Sequence, residues 1–404
     1  MSILNEIKKI AHKCIVIGNK IFYRFVPVDN QTILFIAFHG RGYSDNPKAI
    51  HQYMMQDERF KDYTFVWAIK NHKKKNLDIP RAKIIEYFSF SYFYYLAHSK
   101  IWVVNCKLPG YILKKPNQIY LQTWHGTPLK KLAHDIDVPE GTTFYRSQMD
   151  AQSMFKTYDV DVARYNYMIS PNAFCSKVFP SAFAINPERL IETGYPRNDI
   201  LSRVDESRVI QKKKELGIPL DKKVILYAPT WRDNSYVASG YTFELQANFR
   251  KWKEIVGKEY IVLFKPHYLI INTFKEDKEL DGFLYSIDAT LDIAQFYELA
   301  DVLITDYSSV FFDYAILKRP IYFYMYDLEE YANDLRGFYL DIYKDLPGQI
   351  YRDEEKMMED IVHCVYDFDH LKEFNSYFNN REDGNASKRV VDILYQEANK
   401  DGSQ

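Results

Sequence analysis

Trp124-His125-Gly126-Thr127-Pro128 sets a titratable residue between an apolar run, Ile119-Tyr120-Leu121, and the segment Leu129-Lys130-Lys131-Leu132. The pattern reads as a strand ending where a helix begins. Pro128 suits a first helical turn, where its missing N–H is no loss, and Thr127 is an acceptable cap before it. Open parallel α/β sheets bind ligands in the crevice beyond their strand ends. A histidine placed there titrates near neutral pH, as a general base must.

Four further motifs follow apolar runs in the second half of the chain: Ala228-Pro229-Thr230-Trp231-Arg232-Asp233, Lys265-Pro266-His267, Asp306-Tyr307-Ser308-Ser309 and Arg336-Gly337-Phe338. Together they supply Arg232, Lys265, His267, two serine hydroxyls, Arg336 and a helix start at residue 310. This is a donor set for an anionic diphosphate. A helix N-terminus offers oriented N–H groups, Arg a fork for phosphate oxygens, and Lys a point charge. Each residue also has a purely structural use. Ser308, Ser309 and Asp306 would serve as helix caps, His267 as a core histidine, and Arg232 as a surface partner of Asp233. Neither a P-loop nor a G-x-G-x-x-G stretch is present, so a phosphate site must be built from side chains and a helix end. In the first half, Phe38-His39-Gly40-Arg41-Gly42 follows the first apolar run; His39 lines an acceptor site or sits in a turn, and the glycines permit close backbone approach.

The elements that must position these residues alternate regularly. Residues 33–38, 65–68, 83–85, 101–104, 119–122 and 167–169 read as strands, with a helix over 47–55. A charged, helical stretch occupies 201–223. Strands then resume at 224–228, 260–264, 302–305 and 321–324. Such alternation predicts right-handed βαβ units and parallel sheets. We read an α/β chain of two Rossmann-like halves: 29–199 on the acceptor side, with the base, and 200–390 on the donor side.

Residues 1–28 form a separate segment. Ile3, Ile7, Ile10, Cys14, Ile17 and Ile21 recur at helical spacing. Lys8, Lys9, Lys13, Lys20 and Arg24 face only Glu6, and Phe22, Tyr23 and Phe25 close the segment. A basic amphipathic helix of this kind lies on an anionic membrane surface or packs on the first domain.

Composition narrows the function. The chain has 404 residues, 47% hydrophobic and 26% charged, with a net charge of −1, which fits a globular protein and gives no basic field for nucleic acid. Its four cysteines form no C-x-x-C pair, so neither a zinc site nor a disulfide framework is expected. No signal peptide or run of 18 apolar residues appears. Asp135-Ile136-Asp137 and Asp159-Val160-Asp161 lack further ligands, so no metal is expected.

Taken in order, these motifs resemble the CDP-glycerol glycerophosphotransferase family, the teichoic-acid primases and polymerases of Gram-positive bacteria. The residues carrying the resemblance run from Gln122 to Lys131, Gly194 to Asp199, Tyr227 to Asp233, Phe264 to His267, Thr305 to Ala315, and Arg336 to Phe338. The resemblance implies a GT-B-like pair of Rossmann-like domains with an interdomain cleft. It implies transfer of an alditol phosphate from a CDP-alditol to a hydroxyl of a lipid-linked acceptor, releasing CMP, at the cytoplasmic face of the membrane. His125 matches the family's catalytic base. His267, Ser308 and Ser309 match its donor-diphosphate contacts, His267 also serving the transfer step. Arg232, Lys265, Thr305 and Arg336 complete the donor side; His39, Arg41 and Thr127 are acceptor-side candidates. No cofactor is required, and a loosely bound divalent cation stays open. CDP-glycerol is the expected donor and CDP-ribitol the alternative. The short length favours a primase or short-chain transferase. A nucleotide-sugar glycosyltransferase and a non-catalytic glycan-binding protein are the readings from other classes.

Overall fold

The structure, a computed structural model, describes residues 3–400 apart from 76, 138–142, 145–148, 231–235, 238–239, 242–245, 267–276, 289–290 and 330–336; for 3–12, 143–144, 236–237 and 240–241 it describes the backbone alone. The chain forms two compact units. One holds Met1–His125, Leu132–Asp199 and Asn385–Gln404; the other holds Gly126–Lys131 and Ile200–Gly384.

The first unit is built on strands β1 (Asp29–Ile36), β2 (Thr64–Ile69), β3 (Ala82–Glu86), β4 (Ser99–Val104), β5 (Ile119–Gln122), β6 (Tyr167–Ser170) and β7 (Leu190–Glu192). They form one sheet in the order β3-β2-β1-β4-β5-β6-β7, with every pairing parallel. The central strands are apolar on both faces, as a sheet covered on both sides requires. Ile33, Phe35, Trp67, Ile101, Val103 and Leu121 are buried in one core.

Helix Asp45–Gln56 covers this core together with helix Ala386–Asn399, whose Val390, Val391 and Leu394 are fully buried in it. The C-terminal helix therefore belongs to the first unit, and the donor half does not run to residue 390 as the sequence reading had it. Asp199 fixes the start of this helix, accepting from the backbone N–H groups of Ala386 and Ser387 at 2.8 Å each. A sequence window around 386 holds no sign of a partner so remote.

The second unit repeats the plan with β8 (Lys223–Ala228), β9 (Tyr260–Phe264), β10 (Leu284–Ser286), β11 (Val302–Thr305), β12 (Ile321–Tyr324) and β13 (Ile350–Tyr351). Their order is β10-β9-β8-β11-β12-β13, again all parallel. In both sheets the order reverses beside the first strand, which makes a topological switch point between β1 and β4 and another between β8 and β11. Tyr227, Trp252, Val262, Phe264, Ile304 and Met357 fill the second core.

The helix expected after His125 is not formed. Lys131 N–H donates to the Gly337 carbonyl at 3.0 Å and Tyr339 N–H to the Leu129 carbonyl at 2.9 Å, around a bridge between Lys130 and Phe338. The segment is extended and part of the second unit, and a residue preceding proline is itself biased against the helical region. Thr127 consequently caps nothing; it is buried, 3% exposed.

The N-terminal segment is a helix, Ile3–Phe25. It meets helix Phe90–His98 through Phe22, edge-on to Phe90 at 4.9 Å, and Asn19 donates to the Tyr111 carbonyl at 2.7 Å. Among the described residues no helix is long and apolar enough to cross a membrane.

Candidate active site

His125 stands immediately beyond β5. Its Nδ1 lies 2.7 Å from the carbonyl oxygen of Asn105, the residue just past the neighbouring strand β4. A carbonyl only accepts, so Nδ1 must carry the proton. In the neutral ring Nε2 is then the lone-pair nitrogen, and the backbone has selected the tautomer able to take a proton. Burial lowers the pKa of His125; the Asn105 carbonyl and Asp45 work against that shift, and Arg197 adds to it. The ring stacks on Trp124 at 4.3 Å and meets Phe38 edge-on at 5.7 Å.

A polar ring of side chains surrounds this histidine. Arg197 Nη1 donates to Asp45 Oδ1 at 2.5 Å and to the His125 carbonyl at 2.9 Å. Asn105 Nδ2 donates to the other Asp45 oxygen at 2.5 Å, and Asn105 Oδ1 accepts from Phe38 N–H at 2.7 Å. Asn46 donates to the Trp124 carbonyl at 3.2 Å and accepts from Arg197 N–H at 3.1 Å. The Asp45 and Arg197 side chains are 3% and 11% exposed. Pairing and multiple hydrogen bonds are what make such burial tolerable. Sequence reasoning assigned no role to Asp45, Asn46, Asn105 or Arg197. The available signals were Asn46-Pro47 at a helix start and Arg197 within Gly194-Tyr195-Pro196-Arg197.

His39 follows β1 in a left-handed turn, φ 56°, so the turn expected of it is formed. Its exposed ring faces the same corner. Partial desolvation, then Lys70, Arg41, His125 and Lys107, hold its pKa below the ordinary value. Arg41 is exposed on the same turn. Gly40 is obligatory between them: its φ is +81°, and a Cβ would come within 2.7 Å of Tyr87 Cβ.

On the donor side, Lys265 follows β9, is 8% exposed, and donates to the Asp288 carbonyl at 3.2 Å. Burial lowers its pKa to about 8 against the pull of Asp288 and Asp292, so the amine keeps most of its charge at pH 7. Ser308 and Ser309 lie half-buried before helix Val310–Tyr314. Ser309 makes no capping hydrogen bond, and Ser308 Oγ accepts from Val310 N–H only at 3.4 Å. Capping therefore does not account for the pair. Asp306 accepts from the backbone and hydroxyl of Thr230 at 2.8 Å each, tying the ends of β8 and β11 together.

Thr305 departs from the expectation. It is fully buried, and its hydroxyl donates to the Ala228 carbonyl at 2.8 Å, so it staples two strands and offers no donor to a ligand. Arg232, His267 and Arg336 lie outside the described residues. Among the described residues, no group of His, Cys, Asp or Glu could hold a metal ion.

Comparison with known proteins gives consistent matches. The family model described as CDP-glycerol:poly(glycerophosphate) glycerophosphotransferase matches residues 19–396. A teichoic acid poly(glycerol phosphate) polymerase of Bacillus spizizenii is 40% identical over 377 residues, 91% of this chain and 93% of that protein. A teichoic acid glycerol-phosphate transferase of Staphylococcus aureus is 35% identical, covering 98% of this chain and all of its own length. The solved structure of a histidine-to-asparagine variant of the wall teichoic acid polymerase TagF, soaked with CDPG, superposes with a TM-score of 0.86 at 34% identity, over 99% of this chain and 98% of that one.

Proposed function

The chain belongs to the CDP-glycerol:poly(glycerophosphate) glycerophosphotransferase family, and from that membership we propose that it transfers glycerol phosphate from CDP-glycerol to a hydroxyl of a lipid-linked acceptor, releasing CMP. The observation carrying this reading is the tautomer of His125, whose Nδ1–H is committed to the Asn105 carbonyl. Nε2 removes the acceptor's hydroxyl proton as its oxygen attacks the phosphorus bearing glycerol. The bond to the CMP oxygen breaks, and CMP leaves with the electron pair. General-base assistance contributes about two to four powers of ten. The charge spread over the phosphoryl oxygens is met by Lys265, the Ser308 and Ser309 hydroxyls and, by family resemblance, by His267, Arg232 and Arg336.

Chain length does not separate primase from polymerase, because this chain covers 93% of a protein named as a polymerase. Product length, not sequence length, is the measure. Attachment to the cytoplasmic membrane surface belongs to the same proposal. Ile17, Ile21 and Phe25 are 58%, 52% and 75% exposed, beside exposed Phe88 and Phe90, and Lys13, Lys20 and Arg24 are exposed on the same helix. An apolar patch flanked by cations suits an anionic interface.

The test is to incubate the protein with CDP-glycerol and a lipid-linked disaccharide, identify the released nucleotide, and repeat with CDP-ribitol and with His125→Ala. CMP release lowered roughly 100-fold or more by the substitution, with CDP-glycerol affinity retained, is the expected result. Release of a nucleoside diphosphate from a nucleotide sugar would make the protein a glycosyltransferase. Absence of any nucleotide release would make it a binding protein.

A further inference from the structure

Gln122 closes β5, and its side chain is fully buried. Its Oε1 accepts from the Trp124 N–H at 3.0 Å, and its Nε2 donates to the Cys106 carbonyl at 3.2 Å. Trp124 directly precedes His125. Cys106 directly follows Asn105, whose carbonyl takes the His125 Nδ1–H at 2.7 Å. One amide therefore spans the loops past β4 and β5, beside the bond that selects the His125 tautomer. Among side chains only a primary amide joins two N–H donors and a carbonyl acceptor in one flat group. Trp124 is held at φ 52°, a conformation that a residue other than glycine keeps only where its surroundings over-determine it.

The way that amide faces is itself dictated. Its Nε2 also donates to the Tyr165 hydroxyl at 3.2 Å. That hydroxyl donates in turn to Asp161 Oδ2 at 2.7 Å, where the Leu108 N–H arrives as well, at 3.1 Å. Arg164 occupies the other oxygen of Asp161 and donates to the Leu108 carbonyl at 2.9 Å. Asp161, on helix Ala151–Val162, is fully buried, and with donors on both oxygens its carboxylate only accepts. The Tyr165 proton thus points at Asp161 and its oxygen lone pairs at Gln122. The amide must then turn its nitrogen to Tyr165 and Cys106 and its oxygen to Trp124.

We infer that Gln122 is a positioning residue of the proposed transfer: its amide keeps the loops past β4 and β5 at the separation at which the His125 Nδ1–H reaches the Asn105 carbonyl, and Tyr165 and Asp161 orient that amide. The inference rests on His125 being the base. Without the amide, the Trp124 N–H and the Cys106 carbonyl each lose a buried partner, and the loops must shift to find others. A carbonyl that withdraws from Nδ1 frees the neutral ring to carry its proton on either nitrogen. A ring protonated on Nε2 presents a donor where the acceptor's hydroxyl needs a lone pair.

The experiment replaces Gln122 by Met, which fills similar space and makes none of the three hydrogen bonds, and reads two quantities. The imidazole 15N shifts of His125, assigned by their loss in His125→Gln, report the tautomer at a pH where the ring is neutral. CMP release from CDP-glycerol reports kcat and KM. The native chain should show the Nδ1–H form alone. Gln122→Met should show a mixture of tautomers and a kcat lowered about tenfold or more, the scale on which misplacing a reacting group costs, with KM for CDP-glycerol unchanged. Tyr165→Phe keeps its ring and takes only one partner from the amide, so it should move both readouts the same way and by less. A folded Gln122→Met that keeps the Nδ1–H form alone would overturn the positioning role, whatever its rate, and leave the transferase reading standing. Mixed tautomers at native kcat would overturn His125 as the base and the positioning role with it. Should Gln122→Met not fold, native tautomer and native kcat in Tyr165→Phe would overturn the inference.

Discussion

Asp45 and Arg197 carry opposite charges beside His125, and removing them one at a time should move its titration in opposite directions. A neighbouring opposite charge favours the charged form of a titratable group, and a like charge disfavours it. Burial lowers the His125 pKa most; Asp45 raises it and Arg197 lowers it. In its proposed role as base, His125 must be neutral to act. The acid limb of kcat/KM, which reports the free enzyme, should lie below the ordinary histidine value in the native chain. Asp45→Asn should move it lower still, and Arg197→Gln should move it higher. At a pH below both limbs, each unit by which the limb moves is a factor of ten in rate. Stability supplies an independent control. Asp45→Asn strands a guanidinium that is only 11% exposed, which costs about 3–5 kcal/mol when a buried pair is broken. The double variant should recover part of that loss. CMP release measured across about pH 5–8, with urea unfolding of each variant, checks both halves. Limbs that move in the same direction, or that stay fixed while the rate falls, would refute the electrostatic coupling and leave the pair a purely structural strut.

Two further outcomes follow from groups outside the reaction. His51 is fully buried among Phe35, Phe65 and Trp67, and its pKa is lowered from 6.5 to about 4 by burial, with Arg81 adding to the shift. The neutral ring is therefore the folded form. Its contribution is fully present above pH 6.5 and is lost as pH falls toward the folded value, by about 3 kcal/mol in all. Urea midpoints at neutral and acid pH should show a shallower acid loss in His51→Gln, and an unchanged acid loss would assign that instability elsewhere. On the N-terminal helix, Ile21→Glu with Phe25→Glu should release the protein from anionic vesicles and leave its thermal unfolding unchanged, because both side chains are more than half exposed. Undiminished sedimentation with vesicles would remove this helix as the anchor.

The long central strands were legible because a parallel sheet covered on both faces leaves continuous apolar runs such as Ile33-Leu34-Phe35-Ile36 and Val302-Leu303-Ile304. The edge strands Leu190–Glu192, Leu284–Ser286 and Ile350–Tyr351 were not, since two or three residues make no pattern. The position of His125 just past β5 was legible. What tunes it was not: Asp45 and Arg197 are 152 residues apart, and the acceptor of its Nδ1–H is a backbone carbonyl, which no residue type announces. The misread helix after Gly126 has the same origin. Local signals at Thr127-Pro128 suggested a helix start, whereas pairing with residues 337–339 decided the conformation. Thr305 shows the converse error, a residue in a functional motif whose hydroxyl faces a neighbouring strand.

The backbone around His125 shows what that pairing of distant segments achieves. Phe38, His39, Asp45 and Trp124 all have left-handed φ, at 44°, 56°, 60° and 52°, although none is glycine. Each such residue costs on the order of 1–3 kcal/mol, and persists only where the surroundings over-determine it. Here they do. Phe38 N–H is held by Asn105 Oδ1, Trp124 N–H by Gln122 Oε1 at 3.0 Å, the Trp124 carbonyl by Asn46, and the Asp45 carboxylate by Arg197 and Asn105. Three separate stretches of chain thus reach unfavourable conformations at the same corner, and the hydrogen bonds that hold them also hold the imidazole. In the proposed role of base, a ring so fixed would lose little freedom when an acceptor arrives, and small misplacements of a reacting group are costly. The strain in this corner is therefore best understood as the cost of orienting one ring. It predicts that substitutions at Asn46 or Asn105 will depress turnover by releasing His125, even though neither side chain contacts the imidazole in the hydrogen-bond network.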